Sequence, residues 1–327
     1  MSADRRFRGT RRDFLVTAGA GTTIAALAPV LSAKEDSPQA IPQRKYGTTG
    51  ATVPIVGVGT APAGFRGRKE AREVYSACLD QGLTYFDTAP EFAGYGKAQV
   101  ALGDVLKTRR SEAFVVTKCW EPDGEKALAL LKQNLRELQT DRVDVVYAHS
   151  LGADNMPPEK ILASNGILPA LAKAQRDGLT RFIGVSGHNR PGRFLEVLRE
   201  FEIQVMMNAV SFVARHIYDF ESTVWPEAQR RGVALAAMKV YGGIIGGQEK
   251  PKGARVPKAD LFEAFRYAQS LPGVATAVIG LHDTDELRQT VEWARTYQPL
   301  TVDESNQLLA RGKEIADGWG EVYGPVV

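Results

Sequence analysis

The chain has 327 residues, of which 44% are hydrophobic and 24% are charged, so it can bury a sizeable core. This composition excludes fibrous and intrinsically disordered proteins. The formal net charge is +3, and residues 1–33 account for it, because they hold five arginines and two aspartates. The neutral remainder gives no support for nucleic-acid binding. The two cysteines offer neither a disulfide framework nor a metal-site spacing.

Residues 1–33 have the three parts of a secretory signal peptide. Arg11 and Arg12 stand in a basic start, an apolar stretch rich in glycine, alanine and threonine follows, and small residues end it at 31–33. This order is typical of a signal peptide rather than of a membrane span. The paired arginines, followed by Phe14 and Leu15, resemble a twin-arginine signal. The resemblance implies export of the folded protein by twin-arginine machinery to the periplasm or another extracytoplasmic compartment.

A basic amphipathic arm is the alternative interpretation of this leader. Gly19, Gly21 and Pro29 would interrupt the apolar face of such a helix. Residues 34–43 are polar and contain two prolines, so we predict a linker between the leader and the folded domain.

From Val53 onward, eight apolar runs alternate with eight amphipathic segments. The predicted strands lie at 53–59, 84–87, 113–118, 143–149, 181–186, 204–208, 233–239 and 275–280. The predicted helices lie at 69–81, 98–107, 125–138, 167–176, 193–200, 221–231, 260–269 and 284–295. Right-handed crossovers of this length close a parallel barrel, so the predicted fold is α/β, a (β/α)8 TIM barrel. One more helix is predicted at 303–315.

Polar residues stand at or near the carboxyl ends of four successive predicted strands. They are Asp87, Lys118, His149 and Ser186. Each one alone is more often a surface or structural residue. Because parallel barrels carry their chemistry at the carboxyl ends of the strands, four such residues in succession indicate one site.

Asp87, Tyr95, Lys118 and His149, in this order, resemble the catalytic tetrad of the aldo-keto reductases. Residues 44–60 are similar to the opening β-hairpin and first strand of that family, and the resemblance runs to about residue 293. It implies a barrel domain over 44–327, with an N-terminal β-hairpin and a C-terminal extra helix. It also implies a nicotinamide cofactor, NADPH or NADH, and a small carbonyl or sugar substrate.

The four residues have chemistry that suits carbonyl reduction. The pKa of a free tyrosine is about 10, which is high for proton transfer near neutrality. A lysine cation in contact with the hydroxyl stabilises the phenolate, and an aspartate keeps that lysine charged. Tyr95, Lys118 and Asp87 take these roles in our hypothesis, with Tyr95 as the general acid or base. His149 would orient the carbonyl oxygen by donating a hydrogen bond.

The position of the tyrosine leaves one alternative open. Many family members have it five residues after the aspartate, where this chain has Phe92. Alignment on residues 95–103 instead places a short insertion before Tyr95, and we prefer this alignment. If Phe92 occupied the position of the proton donor, the chain would bind nucleotide without efficient catalysis.

Several residues resemble the cofactor contacts of the family. Ser186 resembles the residue that holds the nicotinamide amide, although Gly187 replaces the usual asparagine, and Asn208 is a candidate for the lost contact. Met238 stands where many members stack a tyrosine on the nicotinamide ring. Lys239 stands where the loop approaches the pyrophosphate, and a glycine-rich stretch at 242–247 follows, which suits close backbone approach to phosphates.

Residues 280–287 resemble the segment of the family that grips adenosine, with Gly280 and His282 as the contact residues. His282 is the one basic residue of this segment, whereas Asp283, Asp285 and Glu286 would repel a 2′-phosphate. The segment therefore favours NADH at least as much as NADPH. Selectivity elsewhere in the chain is the alternative.

Phe65 and Trp120 are predicted walls of the substrate pocket, because aromatic rings there suit an apolar or sugar face. The leading hypothesis is an exported reductase or dehydrogenase. A catalytically weak nucleotide-binding or regulatory module on the same fold is the alternative. A metal-dependent sugar isomerase is a third hypothesis, and the sequence offers no metal-ligand cluster for it.

Overall fold

The computed structural model describes residues 39–243 and 255–327. The predicted signal peptide, the first half of the predicted linker, and Gly246 and Gly247 lie outside the described residues. The described strands are β1 Gln43–Lys45, β2 Thr52–Pro54, β3 Val56–Gly59, β4 Tyr85–Asp87, β5 Phe114–Cys119, β6 Val143–His149, β7 Thr180–Gly187, β8 Val205–Ala209, β9 Ala234–Met238 and β10 Val274–Gly280.

The α-helices of the described ranges connect and follow these strands. They are α1 Ala61–Arg66, α2 Arg68–Asp80, α3 Ala98–Arg109, α4 Gly124–Leu138, α5 Pro158–Ile161, α6 Ile167–Arg176, α7 Pro191–Glu200, α8 Phe220–Thr223, α9 Trp225–Arg230, α10 Leu261–Ser270, α11 Thr284–Arg295 and α12 Val302–Trp319. Among these helices, none is both long and apolar enough to cross a membrane.

Strands β3 to β10 form a closed barrel in which every neighbouring pair is parallel, and β10 pairs with β3 to complete the ring. The predicted (β/α)8 barrel is therefore confirmed. Its strands are buried on both faces, as the continuous apolar runs in the sequence predict. All side chains of β5 and β6 are buried, so a polar residue at the end of either strand is held by packed neighbours.

The hairpin β1–β2 closes the amino-terminal end of the barrel. Its turn contacts the start of β9, where the Thr48 amide donates to the Gly232 carbonyl at 3.0 Å. Tyr46 is fully buried, and its hydroxyl lies 3.0 Å from the Tyr147 hydroxyl and 3.3 Å from the Tyr85 hydroxyl. This buried plug leaves the carboxyl ends of the strands as the open face of the barrel.

Helix α4 shows why the sequence folds as it does. The Asp123 side chain accepts a hydrogen bond from the Lys126 amide, which caps the helix start. The leucines at helical spacing are buried against the barrel, including Leu131, Leu135 and Leu138. Burial of each leucine stabilises the fold by about 1.5–3 kcal/mol.

Two predicted elements are split in the structure, and proline contributes to both splits. The predicted strand at 53–59 divides into β2 and β3, because Pro54 has no amide hydrogen for a sheet and the chain turns at Ile55 from the hairpin into the barrel. The predicted helix at 221–231 divides into α8 and α9 at Val224, because Pro226 in the first turn of α9 has no amide hydrogen to donate to the preceding turn.

Other differences are smaller. Helix α1 follows the first barrel strand and was not predicted; it starts with Pro62 in its first turn. The C-terminal helix α12 is confirmed and extends beyond its predicted end to Trp319. Strand β1 begins at Gln43, the last residue of the predicted linker.

Candidate active site

The barrel brings the predicted residues to one end. Asp87 is the last residue of β4, His149 is the last residue of β6, and Lys118 and Ser186 lie one residue before the ends of β5 and β7. All four are buried. Because the strands are parallel and adjacent in the order β4-β5-β6-β7, their carboxyl ends meet at the open face of the barrel.

Lys118 is the centre of the site. Its Nζ donates to Asp87 Oδ1 at 2.6 Å, to the Thr88 carbonyl at 3.1 Å and to the Tyr95 hydroxyl at 3.0 Å. The lysine side chain is 1% exposed and the aspartate side chain is 5% exposed. A buried ammonium is tolerated here because a carboxylate compensates its charge and each of its three hydrogens has an acceptor.

A polar network behind β5 fixes the strand that carries the lysine. Asn134 on α4 donates to the Lys118 carbonyl at 3.0 Å and accepts from Gln99 at 3.2 Å. Gln99 on α3 in turn accepts from the Thr117 hydroxyl at 2.8 Å. These buried side chains tie two helices to the end of β5, so the position of the lysine backbone is determined by the core.

Tyr95 reaches Lys118 from a tight loop between β4 and α3. Gly94 and Gly96 on either side of it have φ values of 77° and 54°, which favour glycine. A side chain at Gly96 would meet the Gly64 carbonyl at 2.6 Å, and one at Gly64 would clash with the Tyr95 carbonyl. Because Gly64 and Gly96 lack side chains, this loop packs directly on α1, and this packing holds Tyr95 over Lys118.

Phe92 does not reach the lysine in this structure. Its side chain is 61% exposed, and its ring lies 5.3 Å from the Trp120 ring. Trp120 also stands edge-on to His149, with ring centres 6.1 Å apart. Phe65, on α1, is 47% exposed and borders the Tyr95 loop through its backbone amide. Phe92 and Trp120 therefore form an aromatic wall beside the histidine.

The pKa values in this buried group are set by burial and by mutual charge. Burial raises the pKa of Asp87, although Lys118 opposes this effect. Burial also raises the pKa of Tyr95, and the expected lowering by the Lys118 charge is present but smaller. For Lys118 itself, burial works against the charge, but Asp87 and Tyr95 outweigh it and raise its pKa. The lysine is therefore charged and the tyrosine carries its proton.

His149 is a neutral imidazole in this environment. Burial lowers its pKa well below the ordinary value, and the neighbouring His188, Lys118 and Lys239 add to this effect. Its Nδ1 lies 2.8 Å from the Ser186 hydroxyl. If Nδ1 accepts from this hydroxyl, the other ring nitrogen carries the proton and can donate to a ligand oxygen. Ser186 thus contacts His149 in addition to its predicted partner, the nicotinamide amide.

Asn208 has an amide that fits a cofactor contact. Its Oδ1 accepts from the Trp225 indole at 2.9 Å, which fixes the orientation of the side chain. Its Nδ2 is buried and has no hydrogen-bond partner among the described residues. An unsatisfied buried donor costs about 1–3 kcal/mol, so this atom is suited to a carbonyl oxygen supplied by a ligand such as the nicotinamide amide.

Met238 is the last residue of β9, and Lys239 follows it at the open face of the barrel. Met238 is buried among the residues that fill the barrel interior. Lys239 has a φ of 58°, a left-handed conformation that is unfavourable for a residue with a Cβ atom. Burial and, to a smaller extent, the Lys118 charge lower the pKa of Lys239 to about 8, although Asp87 opposes them. Two lysines against one buried aspartate suit an anionic ligand.

The predicted adenosine segment has a base that the sequence did not reveal. Gly280 ends β10, and His282 pairs with Glu286, with His282 Nδ1 3.0 Å from a carboxylate oxygen. Arg66, which is distant in sequence, donates to the His282 carbonyl at 3.2 Å and contacts Asp283 at 3.3 Å. His282 is therefore not the one base near this segment, because α1 brings an arginine to it.

Two aromatic residues that the sequence did not reveal continue from His149: His188 lies beside it, and Tyr323 lies beside His188. The His188 ring lies 5.5 Å from the His149 ring, and the Tyr323 ring lies 5.7 Å from His188. Tyr323 belongs to the C-terminal tail, whose short length gave no signal. His188 follows Ser186 by two residues, and that proximity was the available signal. Within the described ranges, no group of three or more histidine, cysteine, aspartate or glutamate residues could hold a metal ion.

Comparisons with known proteins identify the family of this barrel. Residues 56–260 match the model of the aldo/keto reductase family. L-galactose dehydrogenase of Arabidopsis thaliana is 31% identical over 157 residues, which cover 44% of this chain and 48% of that protein. This chain thus aligns with about half the length of that relative.

Two further proteins align over most of their length. Pyridoxal 4-dehydrogenase of Microbacterium luteolum is 26% identical over 318 residues, covering 77% of this chain and 92% of that protein. The holo form of an aldo-keto reductase from Bacillus halodurans has the same fold, with a TM-score of 0.67, 23% identity, and coverage of 83% of this chain and 96% of that one. With the family model matched over most of the barrel, the chain belongs to the aldo/keto reductase family.

Proposed function

We propose that the protein is an NAD(P)(H)-dependent oxidoreductase that interconverts a carbonyl group and an alcohol on a small substrate, sugars included. The observation that carries this proposal is the contact of the buried Lys118 ammonium with both the Tyr95 hydroxyl and the Asp87 carboxylate. Membership of the aldo/keto reductase family supports it.

In reduction, Tyr95 donates its hydroxyl proton to the carbonyl oxygen, and the oxygen becomes the alcohol hydroxyl. The bound nicotinamide supplies the hydride that the carbonyl carbon receives. Lys118 stabilises the phenolate that remains on Tyr95, and Asp87 keeps the lysine charged. His149 orients the carbonyl oxygen with its neutral imidazole. In oxidation of an alcohol, the same groups act in reverse, with Tyr95 as the base.

The cofactor would be held by Ser186 and the free Asn208 amide at its nicotinamide end, and by Lys239 at its pyrophosphate. Met238 would lie against the nicotinamide ring, and Gly280 and His282 would contact the adenosine. NADPH and NADH are both candidates. The substrate would lie against Phe65, Phe92 and Trp120. The names of the relatives, a dehydrogenase for L-galactose and one for pyridoxal, support a small sugar or aldehyde.

A second candidate is a nucleotide-binding or regulatory module with weak catalysis. Burial raises the pKa of Tyr95, and Gly187 lacks the side chain that the family uses at this position; both favour this candidate. A panel of aldehydes, ketones and sugars, assayed with NADPH and NADH, separates the two. We expect carbonyl-dependent oxidation of one or both cofactors. Tight cofactor binding without any such turnover would support the module instead.

We also propose that residues 1–33 direct export by twin-arginine machinery. The support is the sequence pattern of paired arginines, an apolar stretch and small residues at 31–33. A fusion of residues 1–40 to a folded reporter should be exported, and replacement of both Arg11 and Arg12 by lysine should stop this export. Unchanged export of the double variant would contradict the proposal.

A further inference from the structure

Two buried polar atoms, one on His188 beside His149 and one on Tyr323 beside His188, have no use in the proposed reaction. His188 is 8% exposed, and its Nε2 is buried without a hydrogen-bond partner among the described residues. The Tyr323 hydroxyl is likewise buried without a partner in this part of the chain. Their rings lie 5.7 Å apart at an angle of 40°. Each unsatisfied buried polar atom is unfavourable for the free protein, so the pair suggests a ligand that satisfies both.

The C-terminal tail holds Tyr323 in this position through several contacts. The Tyr323 amide donates to the Tyr218 hydroxyl at 2.8 Å, and that hydroxyl donates to the Gly324 carbonyl at 3.0 Å. Asn189, the neighbour of His188, donates to the Pro325 carbonyl at 3.0 Å. The tail is therefore fastened both to Tyr218 and to the loop that carries His188. The two side chains meet because these hydrogen bonds fix the backbones behind them.

Both side chains are neutral hydrogen-bonding groups. Burial, together with the charges of Lys239 and Lys118, lowers the pKa of His188 to about 3. Burial raises the pKa of Tyr323, and the Tyr218 hydroxyl adds to this rise. A neutral imidazole nitrogen and a phenol hydroxyl together can accept from and donate to the same hydroxyl group. They offer no charge that would attract a carboxylate or a phosphate.

The distance to His149 indicates which hydroxyl this pair would bind. His149 is the group that orients the reacting carbonyl oxygen in the proposed function, and the His188 ring centre lies 5.5 Å from the His149 ring centre. Neighbouring oxygens on adjacent carbon atoms of a sugar can contact two side chains at such a spacing. A hydroxyl on the carbon next to the reacting carbon therefore fits the pair.

We propose that His188 and Tyr323 form a hydroxyl subsite, which selects substrates that carry a hydroxyl group on the carbon adjacent to the reacting carbonyl or alcohol carbon. This inference rests on the proposed oxidoreductase function and extends it to a substrate class, the hydroxyaldehydes, hydroxyketones and sugars. The apolar wall of Phe92 and Trp120 then contacts the carbon face of the substrate, and the subsite contacts its polar edge.

The test compares two aldehydes that differ by one hydroxyl group, glycolaldehyde and acetaldehyde, with rates referred to the unhydrated aldehyde. We expect the full chain to have the higher kcat/KM for glycolaldehyde. Tyr323→Phe should lower the ratio of the two kcat/KM values about tenfold, the size of one lost hydrogen bond. Tyr297→Phe removes a tyrosine hydroxyl at the opposite end of the barrel, where Tyr297 packs near Arg44, and should leave the ratio unchanged.

A binding arm separates this proposal from the proposed function. Glycolate and acetate imitate the two aldehydes without reacting, and calorimetry with oxidised cofactor measures their affinities. Suppose that neither aldehyde is reduced, but glycolate binds more tightly than acetate and Tyr323→Phe removes this difference. The subsite is then supported, and the reductase proposal fails. The subsite is overturned if Tyr323→Phe lowers the kcat/KM values of both aldehydes equally. It is also overturned if the parent protein prefers neither glycolaldehyde over acetaldehyde nor glycolate over acetate.

Discussion

The Lys118 ammonium lies 3.0 Å from the Tyr95 hydroxyl, and the same nitrogen lies 2.6 Å from Asp87. The contact joins a side chain on a rigid barrel strand to one on a glycine-flanked loop. In the proposed reaction this cation stabilises the Tyr95 phenolate, so we expect the loop conformation to decide whether proton transfer is efficient.

We expect Tyr95→Phe to retain cofactor affinity and to lose turnover by about 10²- to 10⁴-fold, the usual contribution of general acid catalysis. The change keeps the ring and removes only the hydroxyl. Lys118→Met should be at least as damaging, because it removes the charge that stabilises the phenolate. Steady-state kinetics and a fluorescence titration with cofactor measure both effects. Near-normal turnover of Tyr95→Phe would contradict the assignment, and Phe92→Ala, which should mainly weaken substrate binding, is the comparison variant.

Gly64→Ala should displace the Tyr95 loop. The added methyl group would clash with the Tyr95 carbonyl and approach Ala98, so the loop must move away from α1. We expect turnover to fall at least tenfold, since a displacement of about 1 Å can cost that much, while the cofactor dissociation constant stays nearly unchanged. Gly192→Ala is the matched control, because a methyl group there meets nothing within 4 Å. Equal kinetics of the two variants would show that α1 does not position the tyrosine.

The affinity for NADH should fall as the pH rises from 7 to 9. Burial lowers the pKa of Lys239 to about 8, so this lysine is charged at pH 7 and loses its charge above pH 8. An anionic pyrophosphate binds the charged form better, and we therefore expect the dissociation constant to rise by up to about tenfold over this window. Lys239→Gln should bind more weakly at pH 7 and vary less with pH. A steep pH dependence that survives in Lys239→Gln would rule out this lysine as its source.

NADH and NADPH should bind with comparable affinity, because the bases near the adenosine segment are already paired with acids. Arg66 contacts Asp283, and His282 contacts Glu286. Asp283→Ser keeps a side chain that can cap α11 and frees Arg66 for a 2′-phosphate. We expect this variant to bind NADPH about fivefold more tightly, the strength of an exposed ion pair, with little change for NADH. A parent protein that already prefers NADPH by about a hundredfold would contradict the argument.

The barrel and the side chains at its open end were predictable from local sequence patterns. Alternating apolar runs and amphipathic segments predict the eight units, because each helix must bury an apolar stripe and each strand is covered on both faces. Asp87, Lys118 and His149 were predictable because a residue at the end of a parallel strand faces the same end of the barrel as its neighbours. Leucine spacing placed the start of α4 within one residue.

The contacts that residues outside the strands make with this site depend on the tertiary structure. The contact of Tyr95 rather than Phe92 with Lys118 depends on how the Tyr95 loop packs against Gly64, a long-range contact that local patterns do not encode. The approach of Arg66 to Asp283 and of Tyr323 to His188 joins segments more than a hundred residues apart. Local sequence fixes the conformation of an element through its own propensities and its apolar stripe. Contacts between distant loops depend on how closed packing positions every element between them, and so they emerge only in the folded chain.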